Sequence, residues 1–262
     1  MGIGLLDKLP LKGRGVISII GAGGKTSLMF SLAKKLVSSG KTVLTTTTTK
    51  IFMPDQHQSP DTIIADTIDD LVEKSRYLLG CFNHFSAGSR KIPDLGKLKG
   101  FTPDIIDQLW EKACFDWIIV EADGARGKPI KTTSSNEPVI PGTTSHLIHV
   151  TGLDAVAKPL DDQYVHRPQL FSNQTGLALG AAIDEQSIAI SAVMEIKKAA
   201  VFAPASFKIK LLNKADNQIA LKSGKKITRF LQEKKIFDKI IITSLYHKDQ
   251  IKEICPGKKG SK

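Results

Sequence analysis

The stretch VISIIGAGGKTSLMFSLAKKL, residues 16–36, constrains the fold more than any other part of the chain. An apolar strand, a glycine-rich turn and an amphipathic helix follow one another directly in it, an order typical of a phosphate-binding loop. Glycines let the backbone turn tightly, so that several N–H groups point at phosphate oxygens, and the helix N-terminus adds a partial positive charge. The sequence therefore predicts a phosphate site where the first strand ends, with a structural turn as the alternative.

Two side chains after this turn carry the chemistry of such a loop. The Lys25 ammonium would reach the β- and γ-phosphates of a nucleotide, and the Thr26 hydroxyl would hold Mg²⁺. The usual GxxxxGK[ST] spacing requires glycine where this chain has Ile19, so the loop fits the shorter GxxGK[ST] form and resembles the loop of the ATP-dependent Mur ligases. The predicted nucleotide-binding residues of the loop are Gly21, Ala22, Gly23, Gly24, Lys25, Thr26 and Ser27.

A second motif ends the apolar strand in FDWIIVEADGARGKPIK, residues 115–131. In phosphate-loop proteins a carboxylate at the end of a neighbouring strand holds the metal, and Glu121 or Asp123 would take that role together with Thr26. The Gly124 N–H would approach the γ-phosphate. The alternative is that acidic residues simply end a strand at the surface.

Three cations follow that acidic turn, at Arg126, Lys128 and Lys131. They could neutralise a transferring phosphate or bind an anionic substrate, and solvated loop cations are an equal alternative. The predicted catalytic residues are Lys25, Glu121, Asp123 and Arg126, and the predicted metal ligands are Thr26, Glu121 and Asp123.

The third motif is NKxD in FKIKLLNKADN, where Asn213, Lys214 and Asp216 follow another apolar strand. This pattern is the guanine-reading signature of GTPases, because the Asp carboxylate accepts two hydrogen bonds that guanine donates and adenine cannot match. A helix N-cap is the alternative. The three motifs occur in the order that G proteins use, each at the carboxyl end of a strand, where open α/β sheets bind ligands.

Two further segments are weaker candidates. The threonine run Thr45–Thr49 ends the second strand, where its hydroxyls could touch Mg²⁺ or phosphate or could simply cap a helix. His166 and Arg167 could bind an anion or act as acid and base, and a structural histidine is the alternative.

Short β-branched runs alternate with longer stretches of helical period, which predicts an α/β fold of the P-loop NTPase type, with a mostly parallel sheet and helices on both faces. We predict one domain over residues 1–262, with a small insertion at about 81–100, read as loops or a hairpin, and a small lobe at about 155–182. Predicted strands are 16–20, 42–46, 62–65, 117–121, 146–150, 208–212 and 239–242. Predicted helices are 26–38, 68–79, 103–113, 185–194 and 218–237.

The formal net charge of +11 lies entirely in the last third of the chain, where residues 190–262 hold 17 Lys and Arg against 6 Asp and Glu. Most of these lysines lie at polar positions of a predicted helix and in the KKGSK tail, so a solvated basic face is favoured over a nucleic-acid site. The apolar runs are too short to cross a bilayer and the first residues lack an export signal, so we expect a cytoplasmic protein without a membrane partner. The thiols of Cys81, Cys114 and Cys255 form no metal or disulfide pattern.

The ordered set of motifs resembles the YqeC family, described as selenium-dependent hydroxylase accessory proteins. The resemblance covers nearly the whole chain and rests on GAGGKTSL, TTTTTKIF, KLKGFTP, VEADGARGKPIK, NEPVIP, VTGLDAVAKPL, VHRPQLF and LLNKAD. It departs at Ala125, where many relatives carry serine. The resemblance implies a place in the maturation of selenium-containing molybdenum hydroxylases, with such a hydroxylase or a cofactor-maturation protein as the partner.

Two functional hypotheses follow. The first is a Mg²⁺-dependent GTPase that binds and hydrolyses the nucleotide to drive delivery to a client enzyme, with residues 121–131 as the switch. The second is an ATP-dependent kinase or ligase acting on a small cofactor or selenium precursor, in which Arg126, Lys128 and His166 hold the acceptor. Nucleic-acid binding through the basic last third ranks behind both.

Overall fold

The computed structural model describes residues 8–112, 115–246 and 251–257. Its strands are β1 (Gly15–Gly21), β2 (Val43–Thr47), β3 (Lys50–Phe52), β4 (Thr62–Ile64), β5 (His84–Gly88), β6 (Arg90–Ile92), β7 (Lys97–Lys99), β8 (Trp117–Glu121), β9 (Ile130–Lys131), β10 (Thr144–Gly152), β11 (Val165–His166), β12 (Phe207–Asn213), β13 (Lys239–Thr243) and β14 (Ile251–Pro256). Its helices are α1 (Lys25–Ser38), α2 (Ile68–Leu79), α3 (Pro103–Lys112), α4 (Pro168–Thr175), α5 (Glu185–Ala200) and α6 (Gln218–Lys234), with short 3₁₀ turns at Pro93–Leu95 and Leu153–Ala155.

One nine-stranded sheet runs through the molecule in the order β14-β13-β12-β10-β1-β8-β2-β5-β4. All of its pairings are parallel except that of β14 with β13. Parallel strands need crossover helices, which cover the faces and leave the strands as apolar runs. The predicted mostly parallel α/β fold is therefore confirmed.

Strand β1 shows how both faces of the sheet are covered. Its residues alternate between two buried apolar clusters, with Val16 and Ile20 in one and Ile17 and Ile19 in the other. Helix α1 contributes Leu28, Met29 and Leu32 to the second cluster. Helices α2, α3, α5 and α6 contribute to the first, through Leu71, Ile106, Ile188, Ile196, Ile227 and Leu231. Every residue of β1 is buried, as expected of a central strand of a doubly covered sheet.

The carboxyl ends of the central strands meet at one edge of the sheet. In the parallel registers Glu121 on β8 pairs with Ile19 and with Thr47, and Asn213 on β12 pairs with Gly152. The three motifs found in the sequence are therefore brought to the same edge, beside the loop that follows β1.

Two smaller sheets flank this edge. Strands β3, β7 and β6 form an antiparallel three-stranded sheet in that order, and β3 begins three residues after β2 ends. Strands β9 and β11 pair in parallel. Residues 155–182 add Ala155, Leu160, Val165 and Phe171 to the first apolar cluster.

The structure corrects several elements of the sequence interpretation. Residues 84–88 were expected in loops or a small hairpin, yet they form a buried strand between β2 and β4, and only β6 and β7 form a hairpin. The segment HFSAG has no β-branched residue, so its strand character comes from its neighbours. Helix α5 continues to Ala200, whereas α6 ends at Lys234 because Lys235 adopts a left-handed conformation with φ 51°.

Several sequence expectations fall outside the described residues: the end of the helix predicted to Ala113, the thiol of Cys114, the first seven residues and the KKGSK tail. Within the described ranges, no helix has the length and apolar character needed to cross a membrane.

Candidate functional site

The loop after β1 has a backbone that only glycine accommodates. Gly23 and Gly24 have φ of 80° and 124°, and a Cβ on Gly23 would lie 2.3 Å from the backbone nitrogen of Gly152. Helix α1 begins directly after the loop, with no side-chain cap and no acidic residue in its first turn. The positive end of this helix dipole is therefore not neutralised by its own residues, a condition that favours an anion.

Lys25 lies at the centre of the site. Its ammonium donates a hydrogen bond to Gly21 O at 2.8 Å and lies 3.1 Å from Asp123 Oδ1 and 3.6 Å from Glu121 Oε1. Burial alone would lower the pKa of Lys25, but the two carboxylates outweigh it, so that the pKa is raised. The ammonium is therefore charged at neutral pH and held at the loop.

Thr26 and Glu121 form a pair beside that ammonium. The Thr26 hydroxyl donates to Glu121 Oε2 at 2.6 Å, and burial raises the pKa of Glu121 although Lys25 opposes this. Hydroxyl and carboxylate oxygens are the ligands that Mg²⁺ takes in nucleotide sites, where phosphates and waters supply the rest. The described residues hold no group of three or more His, Cys, Asp and Glu side chains that could bind a metal.

Asp123 lies beneath the loop and is fully buried. Its Oδ2 accepts a hydrogen bond from the Gly21 N–H at 2.9 Å and lies 3.4 Å from Lys131 Nζ. Lys131 also pairs with Glu137 at 2.8 Å, and Glu137 pairs with Arg167 at 2.7 Å. Lys131 is thus a buried structural cation rather than a solvated one.

The segment between Glu121 and Lys131 contacts the phosphate loop through its backbone. Lys128 O accepts from the Gly23 N–H at 3.1 Å, and Pro129 O accepts from the Gly152 N–H at 2.9 Å. Arg126 adopts a left-handed φ of 51°. A phosphate oxygen in the loop would compete with Lys128 O for the same N–H donor.

The NKxD motif reaches the loop through its asparagine. Asn213 Nδ2 donates to Gly23 O at 2.8 Å, and the Leu245 N–H donates to Asn213 Oδ1 at 3.2 Å. Lys214 has φ 64° and pairs with Asp154 at 2.6 Å. Asp216 is exposed and its carboxylate accepts a hydrogen bond from the Ser244 hydroxyl.

An open cleft of about 1060 Å³ joins these groups. Of the residues predicted for the site, the structure places Gly23, Gly24, Lys25, Thr26, Ser27, Glu121, Gly124, Arg126 and Lys214 in its lining. The described lining does not include Gly21, Ala22, Asp123, Asn213 and Asp216. Asp123 and Asn213 instead hydrogen-bond to the loop backbone, at the Gly21 N–H and at Gly23 O.

Both weaker candidates contribute to the cleft. Thr48 and Thr49 line it, whereas Thr45 and Thr46 are buried and bonded within the sheet. His166 lines it as well, and burial together with the neighbouring Arg167 and Lys131 lowers its pKa to about 4. Its imidazole is therefore neutral at pH 7, suited to hydrogen bonding rather than to binding an anion by charge.

Several lining residues were missed by the sequence analysis, among them Lys50, Phe52, Lys97 and Lys99. These four come from β3 and β7, whose three-residue segments KIF and KLK alternate polar or exposed residues with one buried apolar residue. That period of two was the available signal, but segments of three residues are too short to be recognised by it.

Comparison with known proteins gives three kinds of match. The family model described as "YqeC protein" matches residues 17–169. The Escherichia coli (strain K12) protein described as "Uncharacterized protein YqeC" is 38% identical over 168 residues, which are 64% of this chain and 63% of that protein. The matched region thus spans less than two thirds of that relative.

Solved structures of FtsY are also similar to this chain. Chloroplast FtsY from Physcomitrella patens matches with a TM-score of 0.43 at 13% identity, covering 93% of this chain and 62% of that one. FtsY from Mycoplasma mycoides matches with a TM-score of 0.40 at 11% identity, covering 93% and 65%.

Proposed function

Because this chain belongs to the YqeC family, we propose that it is a Mg²⁺-dependent nucleoside triphosphatase with a preference for GTP, which acts in the maturation of selenium-dependent molybdenum hydroxylases. The observation that carries the nucleotide part is the convergence of Lys25, Thr26 and Glu121 at a glycine loop that opens a helix. In this proposal the whole chain acts as one P-loop NTPase-like domain.

Phosphate binding follows from the charges at the loop. The ammonium of Lys25 leaves Gly21 O and turns to the β- and γ-phosphates, while the uncapped first turn of α1 binds phosphate oxygens through N–H groups. Asp123 keeps the loop in shape, since it accepts from the Gly21 N–H and balances Lys25 and Lys131. We therefore assign Asp123 to positioning.

Metal binding falls to Thr26 and Glu121 in this proposal, because their oxygens are 2.6 Å apart and Glu121 lines the cleft. Held by these two residues, Mg²⁺ would neutralise negative charge on the phosphates. Arg126 is the group proposed to neutralise negative charge that develops on the γ-phosphoryl group. It lines the cleft and has no ion-pair partner among the residues with described side chains.

Preference for guanine rests on Asn213, Lys214 and Asp216. Asn213 ties the motif to Gly23 O, Lys214 lines the cleft, and the exposed Asp216 carboxylate keeps acceptor capacity beyond its bond to Ser244. Two acceptor sites on one carboxylate match two donors of guanine, and adenine does not offer the same pair of donors.

Nucleotide state would be read by residues 121–131. A phosphate oxygen that accepts from the Gly23 N–H would replace the bond from this N–H to Lys128 O. Loss of this bond would release the segment that carries Arg126, so that binding of a client depends on the bound nucleotide. The identity of the client, a molybdenum hydroxylase or a cofactor-maturation protein, comes from the family resemblance.

A kinase or ligase that uses ATP is the second candidate. It is favoured by the length of the cleft, which continues past the loop to Lys50, Lys97 and Lys99. Such a reaction would leave a new phosphorylated or ligated compound, with His166 and Arg126 near the acceptor.

Phosphate release from GTP, with and without Mg²⁺, tests the proposed function. The wild-type chain should hydrolyse GTP only with Mg²⁺, and faster when a molybdenum hydroxylase client is added. Thr26→Ala should lose this activity, and Ser38→Ala, at the far end of the same helix, should keep it. Phosphate release that does not depend on Mg²⁺, or that persists in Thr26→Ala, would contradict the proposal. Formation of a phosphorylated small molecule would favour the kinase.

A further inference from the structure

The three-stranded sheet beside the cleft has an unusual outer face. In the antiparallel register Lys50 on β3 lies opposite Lys99 on β7, which lies opposite Arg90 on β6. Three like charges thus stand side by side on neighbouring strands. Like charges directly opposite each other are destabilising, so this row costs the free protein stability.

Phe52 lies on the same face. It pairs with Lys97, whose ammonium is 5.2 Å from the centre of the Phe52 ring, and the Phe52 side chain is 73% exposed. The alternate residues Ile51 and Leu98 are buried in the apolar core and hold the sheet against the body. A rigid base therefore presents an open aromatic ring next to cations. We call Lys50, Phe52, Lys97 and Lys99 the basic face.

Nothing in the described part of the chain neutralises these lysines. None of Lys50, Lys97 and Lys99 has a carboxylate within ion-pair distance there, unlike the site lysines Lys25 and Lys131. The cleft that the basic face lines carries eight Lys and Arg side chains against two Glu. Clefts lined by one sign of charge concentrate ligands of the opposite sign.

We propose that the basic face is a second binding site in the cleft, for a small molecule that carries phosphate groups and a planar ring. The phosphate would lie on the lysines of the basic face, and the ring would stack on Phe52 as bases stack on exposed aromatic side chains. A small molecule is favoured over a nucleic acid because the face lines the same cleft as the phosphate loop. The inference rests on the proposed function only in placing this ligand next to the γ-phosphate.

Flavin mononucleotide is a suitable probe, because it joins a phosphate to a planar fluorescent ring. The fluorescence polarisation of flavin mononucleotide is measured with protein whose loop is saturated with Mg²⁺ and a non-hydrolysable GTP analogue. Riboflavin, which lacks the phosphate, and pyrophosphate, which lacks the ring, serve as partial probes. We expect flavin mononucleotide to bind more tightly than either. Phe52→Ala and Lys99→Gln should each weaken it about tenfold, whereas Lys91→Gln, on the same small sheet but opposite Leu98, should not.

Thermal unfolding of the ligand-free variants gives a second readout that needs no nucleotide. Lys99→Gln should raise the unfolding midpoint by about 2 °C, because it removes repulsion with Lys50 and Arg90. Lys91→Gln should leave the midpoint unchanged. An unaltered or lower midpoint for Lys99→Gln would overturn the claim that the row is maintained at a cost.

The outcomes separate the two proposals. Flavin mononucleotide that binds no better than pyrophosphate, or equally well to Phe52→Ala, would overturn this inference while GTP binding still stands. A different outcome is that the protein fails to bind GTP or its analogue and still binds flavin mononucleotide in a way that depends on Phe52 and Lys99. That result would support this inference and reject the proposed function.

Discussion

The Thr26 hydroxyl donates a hydrogen bond to the Glu121 carboxylate, with 2.6 Å between Oγ1 and Oε2. The two residues are 95 positions apart in sequence and belong to the first turn of α1 and the last position of β8. The order of strands in the sheet brings them together, because β8 lies directly beside β1. A hydroxyl and a carboxylate in contact at a glycine loop provide two oxygens that one Mg²⁺ ion can bind.

Glu121→Gln should remove the part of GTP affinity that depends on Mg²⁺. The amide has the same shape and can still accept from Thr26, but it is a far weaker ligand for a hard cation. Titration of GTP with Mg²⁺ and with EDTA should show at least about a tenfold loss of the Mg²⁺ increment. Glu111→Gln, exposed on α3, is the matched control. An unchanged Mg²⁺ increment in Glu121→Gln would remove Glu121 from the metal site.

Lys25→Ala should abolish triphosphate binding and also destabilise the fold. The variant leaves the buried Asp123 and Glu121 carboxylates without their ammonium, at a cost of about 3–5 kcal/mol. The double variant Lys25→Ala/Asp123→Asn should recover most of the unfolding free energy and still fail to bind GTP. Urea unfolding and calorimetry check this, with Lys34→Ala, exposed on the same helix, as the control. Binding by the double variant would show that Lys25 does not hold phosphate.

Asp216→Asn should weaken the preference for GTP over ATP, because an amide no longer offers two acceptors to guanine. Competition of the two nucleotides for the wild-type and variant proteins measures the ratio. Asp162→Asn, at an exposed position outside the motif, serves as the control. Selectivity that survives Asp216→Asn would leave NKxD with a structural role only, and that role is not the cap of α6, which Asn217 provides.

Arg126→Ala should lower the rate of GTP hydrolysis about 100-fold or more with little change in affinity, since its charge matters most when the γ-phosphoryl group is transferred. Single-turnover rates and equilibrium binding are measured on the same samples. Arg76→Ala, on α2 and outside the cleft lining, is the control. A loss of affinity without a loss of rate would assign Arg126 to ground-state binding.

Acid should destabilise the protein through His84. Burial lowers its pKa from the usual 6.5 to about 4, so the unfolded chain binds a proton between these values and the native one does not. The stability is present above pH 6.5 and is lost as the pH falls toward 4, by about 2 kcal/mol at pH 5. Between pH 7 and pH 5, the unfolding free energy of His84→Gln, measured with urea, should fall by about 2 kcal/mol less than that of the wild type. The exposed His57→Gln should behave as the wild type, and equal slopes for His84→Gln and wild type would contradict this.

Elements with a strong local signal were predictable from the sequence. Strand β8 and helix α2 have the predicted bounds, because a continuous apolar run and an amphipathic period with a Thr67 cap define them. Strand β5 was not predictable, since HFSAG has no β-branched residue and becomes a strand by pairing with β2 and β4. Such pairing depends on residues far away in the chain, which no local pattern contains.

The site divides in the same way. The glycine loop, the acidic strand end and NKxD could be read because each has a fixed spacing of chemically distinctive residues. The separate positions of Glu121 beside Thr26 and Asp123 beneath Gly21 could not be predicted. Strand alternation would place residues two apart on the same face, but β8 ends at Glu121, so this rule no longer fixes the direction of the Asp123 side chain. The basic face was equally hidden, because its lysines come from two short strands that the fold brings together.

The most direct test of the account is calorimetric titration of GTP, ATP and CTP, each with Mg²⁺, into the wild-type protein and into Lys25→Ala/Asp123→Asn. We predict saturable binding of one GTP per chain, tighter than ATP or CTP, and no binding by the folded double variant. Absence of binding to the wild type, or equal binding to the double variant, would contradict the assignment of the cleft to a nucleoside triphosphate.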